Sequence, residues 1–141
     1  MEKWIAYAII SMIFAGFTSV VAKMGLAGIS GELGLTVRTL FVSVFVLGFA
    51  AFVVPVQELA MLNRMNLLWL GLSGVTTTLS WIFYYKALKI GDVATVALID
   101  KGSVVVAILL AWLLLKEVIT LRLVLGAALI IAGLLVIAKK P

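Results

Sequence analysis

The most regular feature of the sequence is a series of long apolar runs separated by short polar segments. A membrane-spanning helix needs about 20 mostly apolar residues. Five runs meet this requirement, and they predict helices over residues 4–22, 33–54, 66–88, 93–115 and 120–138. The connections are short, so neighbouring helices are expected to be antiparallel. The pattern therefore predicts an all-α membrane protein, a five-transmembrane-helix bundle that forms one domain over residues 1–141 and retains its first helix.

The composition agrees with a chain that is solvated by lipid. Of the 141 residues, 65% are hydrophobic and 12% are charged, whereas a soluble domain has about 45–50% apolar and roughly 25% charged residues. The chain has no cysteine and no histidine, which removes disulfides, thiolate metal sites and the commonest metal ligand. No metal and no cofactor are predicted, and the absence of a catalytic constellation indicates that the protein is not an enzyme.

The basic residues lie at helix ends, and they account for the net charge of +5. Scattered juxtamembrane bases indicate anchoring in anionic lipid, and no nucleic-acid partner is predicted. Four bases are assigned to one side of the membrane (Lys3, Arg64, Lys116 and Arg122) and six to the other (Lys23, Arg38, Lys86, Lys89, Lys139 and Lys140). This weak bias favours a cytoplasmic C-terminus in the cell (inner) membrane, while the near balance also fits insertion in both orientations.

Two charged residues lie within the fourth predicted helix, Asp100 and Lys101. A charge at the centre of a spanning helix costs about 2.5–3.5 kcal/mol or more, so it is a functional candidate by default. Asp100 shares a stripe of small residues with Ser103, Ala107 and Ala111, which suits helix packing or a cavity, whereas Lys101 lies on a bulkier face. The two charges have two interpretations. They neutralise charged residues of neighbouring helices and hold the bundle together, or they form a substrate or proton site.

Arg38, in the second helix, is the candidate partner for the Asp100 carboxylate. A guanidinium binds a carboxylate in a bidentate fork. The alternative for Arg38 is an interfacial anchor, and for the lysines at helix ends the anchor interpretation is stronger.

The third helix carries a face of hydroxyl and aromatic side chains. Thr77, Trp81 and Tyr84 are spaced i, i+4, i+7 and share one side of the helix. Such a wall can stack on an organic ligand and offer hydrogen bonds. Tyrosines near a helix end are also typical of an interfacial aromatic belt, to which Tyr85 is assigned.

The fifth helix carries small residues, Gly126, Ala128, Ala132 and Gly133. Small faces let helix backbones approach closely in lipid. They predict helix packing, at a subunit interface, rather than chemistry.

Three segments resemble a known family: Tyr85–Ala94, the pair Lys116-Glu117, and Leu125–Gly133. They resemble the drug/metabolite transporter superfamily, in particular its EamA-type domain, in two motifs: an aromatic-x-Ala-Leu-x-x-Gly turn and a Glu-then-Leu-Gly-x-x-Leu-Ile-x-Ala-Gly ending. A chain with a single five-helix copy resembles the bacterial and archaeal five-helix branch of that superfamily. Relatives with ten helices hold two inverted units around a central cavity. The resemblance therefore implies a homodimer, with an antiparallel arrangement favoured.

Together these features predict a secondary transporter, an exporter or exchanger of small organic metabolites that works by alternating access, with protons as the candidate coupling ion. The expected substrate or coupling residues are Asp100, Lys101, Arg38, Trp81, Tyr84, Thr77 and Ser103. The excess of bases over acids favours an anionic, zwitterionic or neutral solute over a quaternary ammonium ion. The alternative is a non-transporting membrane subunit, an accessory protein that packs against another protein or handles a lipid-linked sugar.

Overall fold

The computed structural model describes residues 2–138, which form helices joined by short connections. Lys139 and Lys140, which enter the orientation prediction, lie outside the described residues. The helices are α1 (Lys3–Gly25), α2 (Gly31–Val53), the short α3 (Val56–Leu59), α4 (Arg64–Ile90), α5 (Val93–Asp100), α6 (Ser103–Leu115) and α7 (Leu121–Ala138).

Within residues 2–138, four helical stretches are long and apolar enough to cross a membrane: α1, α2, α4 and the stretch Val93–Leu115. α7 supplies a shorter apolar helix. Their most apolar windows contain no buried residue, so their apolar side chains face outward, where lipid can solvate them. α4 is the least apolar of the four, with a mean hydropathy of 1.3 against 2.0–2.1 for the others. The prediction of an all-α, multi-pass membrane protein is confirmed.

Polar caps set several helix ends. The Ser30 hydroxyl accepts a hydrogen bond from the Leu33 amide at 3.1 Å, so α2 begins two residues before the predicted start. Asn63 accepts from the Asn66 amide at 2.8 Å in the same way, and α4 begins at Arg64. The apolar pattern missed these turns because capping residues are polar.

The fourth predicted helix, over 93–115, has the same outer bounds in the structure, and a tight turn divides it into α5 and α6. α5 ends at Asp100 and α6 begins at Ser103. Between them the Gly102 amide donates to the Ile99 carbonyl, three residues back, at 2.9 Å. A Cβ on Gly102 would lie 3.0 Å from that oxygen and 3.0 Å from Leu134 Cδ1 of α7. Close approach to α7 accompanies the break, and a hydropathy pattern does not register such an approach.

The chain divides into two compact units, one made of residues up to 19 and from 91 onward, the other of residues 20–90. In the second unit the start of α2 packs on the end of α4. The buried apolar side chains among the described residues all lie there: Leu26, Leu35, Tyr85 and Leu88. This packed end carries the candidate site.

Candidate functional site

Arg38 of α2 lies against two aromatic rings of α4. Its Cζ atom is 4.3 Å from the centroid of the Trp81 ring and 5.8 Å from that of the Tyr85 ring. Trp81 and Tyr85 are four residues apart, so one face of α4 presents both rings. A guanidinium in this position is attracted by the ring quadrupoles. Within residues 2–138, the Nη1 atom of Arg38 is buried and has no hydrogen-bond partner.

The packed end of the unit holds Tyr85 in place. Its side chain is only 4% exposed, and its ring meets that of Tyr84 edge to face, with centroids 6.3 Å apart. Gly31 makes room for this arrangement, because a Cβ there would lie 2.9 Å from the Tyr85 carbonyl oxygen. The assignment of Tyr85 to an interfacial belt is therefore wrong: helix packing buries the ring.

Two lysines near the site bind the ends of helices. Lys23 Nζ donates to the carbonyl oxygens of Leu88 at 2.5 Å and Lys89 at 3.3 Å, while Lys89 Nζ donates to the Leu26 carbonyl at 2.8 Å. Lysines are favourable at helix C-termini, where carbonyls lack intrahelical partners and the dipole is negative. Both lysines therefore tie the end of α1 to the end of α4.

The remaining lysine near the site forms an ion pair, with Lys86 Nζ 3.4 Å from Glu32 Oε1. Both side chains are exposed, and such a pair contributes about 0–1 kcal/mol. Lys23, Lys89 and Lys86 thus have oxygen partners, and Arg38 is the cation whose contacts are the aromatic rings. The packed end carries four bases and one acid, Glu32.

Asp100, Lys101 and Ser103 lie in the other unit. Lys101 Nζ is 3.8 Å from Asp100 Oδ2, although helical neighbours point about 100° apart, because the long lysine side chain reaches back across the tightened turn. Ser103 begins α6 and is exposed. Pairing between Asp100 and Arg38 stays a prediction.

The stripe of small residues that follows Asp100 along the chain lines a cleft. Ala107 and Ala111 border a space of about 270 Å³ together with Trp112 and Glu117. The stripe was expected to suit packing or a cavity, and in this unit two of its members border open space.

Of the other predicted residues, Thr77 is exposed one turn before Trp81, and Tyr84 is half-buried beside Tyr85. The four small residues of α7 that were predicted to pack are exposed: Gly126, Ala128, Ala132 and Gly133. A Cβ on either glycine would meet open space, so these positions are available to another helix, and the interface assignment stays a prediction.

Sequence reasoning missed two participants, Tyr85 as a ring of the site and Glu32 as the partner of Lys86. The spacing of Tyr85 four residues after Trp81 was the available signal, since it places both rings on one face. Glu32 gave no comparable signal, because its partner lies 54 residues away in the sequence.

Apolar helices of spanning length, with a cation held among aromatic rings between two of them, define a multi-pass membrane protein with a polar site. The chain matches the EamA-like transporter family over residues 2–139, and it belongs to that family. A protein of Sinorhizobium sp named "Uncharacterized transporter in cobO 3'region" is 36% identical over 137 residues, which is 97% of each chain. No solved structure matches. The resemblance is confirmed, and both findings indicate a transporter rather than an enzyme.

Proposed function

We propose that this protein is a secondary transporter of small organic metabolites in the cell membrane, an exporter or exchanger that works as a homodimer by alternating access. The observation that carries the proposal is Arg38, whose buried Nη1 atom lacks a hydrogen-bond acceptor within the described chain. An ionisable group inside a spanning helix is costly, and it typically marks a substrate or ion pathway. A solute that supplies the missing acceptor gives this arginine a function.

The homodimer is supported by the small number of side chains that a single copy buries. Four apolar side chains are buried among the described residues, and the hydroxyl residues Ser73, Thr77 and Ser80 of α4 are exposed along a helix of spanning length. Lipid does not hydrogen-bond hydroxyl groups. A second copy that covers this face would enclose a polar cavity, as inverted repeats do in many transporters.

Asp100 is the proposed coupling residue. It lies at the break between α5 and α6, and interrupted helices commonly form the ion and substrate sites of transporters. Lys101 forms an ion pair with the carboxylate in the structure. We expect a proton to replace Lys101 as its partner during the transport cycle.

The test is solute-driven proton movement in liposomes that contain the purified protein and an internal pH-sensitive dye. Lactate, succinate, alanine and tetraethylammonium are added outside in turn. We expect at least one of the first three to move protons, and Asp100→Asn to abolish the signal. Glu58→Gln is the matched control, since Glu58 is an exposed acid of α3 outside the spanning helices.

Three outcomes would contradict the proposal or part of it. If none of these solutes moves in liposomes, either by proton coupling or by exchange of labelled solute, an accessory membrane subunit is favoured. If Asp100→Asn leaves proton movement intact, Asp100 is not the coupling residue. Vigorous antiport of tetraethylammonium would overturn the preference for anionic, zwitterionic or neutral solutes.

A further inference from the structure

Arg38 differs from the other cations of the packed end in what satisfies its charge. Lys23 and Lys89 donate to backbone carbonyls, and Lys86 pairs with Glu32. The Arg38 guanidinium instead lies over the Trp81 ring, with the Tyr85 ring further out. Rings attract the cation through their faces and accept no conventional hydrogen bond from its in-plane N–H groups.

The buried Nη1 atom is therefore a donor that requires an acceptor. Leaving a buried donor unsatisfied costs about 1–3 kcal/mol, and more for a charged group. Guanidinium N–H groups form a planar fork that matches the two oxygens of an oxyanion. The two ring contacts hold the Cζ atom of the guanidinium 4.3 Å from the Trp81 centroid and 5.8 Å from the Tyr85 centroid.

We propose that Arg38, held by Trp81 and Tyr85, binds the carboxylate group of the transported solute, in the state of the alternating-access cycle that exposes the Nη1 atom buried in this structure. This inference rests on the proposed function and narrows it to organic acids. The guanidinium of Arg38 carries one positive charge and parallel N–H donors, and a single carboxylate matches it in both charge and geometry. Trp81 is half-buried, and Thr77 is exposed one turn before it in α4. The organic part of the acid therefore lies along this side of the helix.

The experiment uses Trp81 as the reporter. Trp4, Trp69 and Trp112 are exposed, so replacing each with Phe leaves Trp81 as the single tryptophan without disturbing buried packing. The variant is placed in phosphatidylcholine nanodiscs and titrated with acetate, pyruvate and benzoate, then with benzamide, benzyltrimethylammonium and inorganic phosphate. We expect saturable emission changes with a carboxylate, and at least tenfold weaker responses to neutral benzamide and to the quaternary ion than to benzoate.

Two substitutions test the role of the fork. Arg38→Gln should abolish the carboxylate response, and Arg38→Lys should weaken it at least tenfold, because an ammonium is a point charge without the planar donors. Arg64→Gln, which removes a cation at the far end of α4, should leave the response unchanged. The comparison of benzoate with benzamide is made on one protein, so it remains decisive if an Arg38 variant does not fold.

Several results would overturn the inference. The absence of a response to all three carboxylates, or an equal response to benzamide and benzoate, contradicts it. A response to inorganic phosphate alone means that Arg38 holds a phosphate rather than a carboxylate.

Failure of the inference and failure of the proposed function are distinguishable. Carboxylate binding without solute movement in liposomes would support the binding site and contradict the transport function. Solute movement that is unchanged by Arg38→Gln would support the transport function and contradict the carboxylate site at Arg38.

Discussion

Gly31 is the residue that lets the start of α2 lie against the backbone of α4. Its missing side chain matters because a Cβ would come within 2.9 Å of the Tyr85 carbonyl oxygen and 3.1 Å of the carbonyl carbon. Backbone atoms of a packed helix cannot move aside as a flexible side chain can. We expect Gly31→Ala to lower the free energy of unfolding by about 1–3 kcal/mol, the usual cost of overpacking, as measured by titration with a denaturing detergent.

The matched control for this prediction is Gly48→Ala in the same helix. A Cβ there meets open space, and alanine favours a helix over glycine by about 1 kcal/mol. Gly48→Ala should therefore be neutral or stabilising. Equal losses of stability at both positions would show that the close approach at Gly31 is not what determines its effect.

For single residues, the sequence identified the members of the site better than the contacts between them. Arg38 and Trp81 stood out because each is unusual in its helix. That the two touch depends on how α2 packs on α4, which no local pattern contains. Tyr85 was misassigned because tyrosine near a helix end is common at membrane interfaces, and only the tertiary structure shows the ring to be 4% exposed.

Among the helices, the end of α6 has an uncommon backbone. Lys116 adopts the left-handed conformation, with φ 55° and ψ 32°, and the amides of Lys116 and Glu117 both donate to the Ala111 carbonyl. For a non-glycine residue this conformation costs roughly 1–2 kcal/mol, and glycine is the usual residue there. We expect Lys116→Gly to raise the free energy of unfolding by up to about 1 kcal/mol, measured as an increased denaturation midpoint.

The control for Lys116→Gly is the same substitution at Lys101, which follows the end of α5. Lys101 has ordinary right-handed angles, φ −66° and ψ −15°, so glycine has no strain to relieve and adds chain entropy to the unfolded state. Lys101→Gly should lower the midpoint. Stabilisation at both positions, or at neither, would contradict the assignment of strain to Lys116.

The sequence predicted the spanning helices more fully than their ends and interruptions, and the reason is physical. Hydropathy follows from side-chain chemistry, so the apolar runs marked the spanning helices of the chain. Caps such as Ser30 and the interruption at Gly102 depend on single hydrogen bonds and on contact with α7. The fourth helix was predicted as one span because the apolar residues on both sides of Asp100 and Lys101 together reach spanning length. The break lies at this charged pair and Gly102, where the backbone also closes a tight turn.

Most of the apolar side chains of the spanning helices are exposed on the surface of a single copy. The most apolar windows of the four spanning stretches contain no buried residue, so lipid or a second copy must cover nearly all of their side chains. Since apolar surface alone gives no drive for helices to associate in lipid, small residues and polar faces decide where copies meet. The exposed small residues of α7 and the hydroxyl face of α4 are the positions that meet this description.

The proposed antiparallel dimer leads to a prediction about orientation in the membrane. The bases are divided almost evenly between the two sides, so we expect each molecule to insert either way round. Because the chain has no cysteine, single variants Ala27→Cys and Met61→Cys report alone. Both positions are exposed: Ala27 lies in the connection before α2, and Met61 lies between α3 and α4, beyond the other end of α2.

Intact cells that express each variant are treated with a membrane-impermeant maleimide, and the labelled fraction is compared with that after permeabilisation. Insertion in both orientations should give about half-labelling at each site, since each site faces outward in half of the molecules. Adding two lysines beside one site should shift the two fractions in opposite directions, because added positive charge retains that end in the cytoplasm. Complete labelling at one site and none at the other would establish a single orientation, and an antiparallel pairing of identical chains would then be impossible.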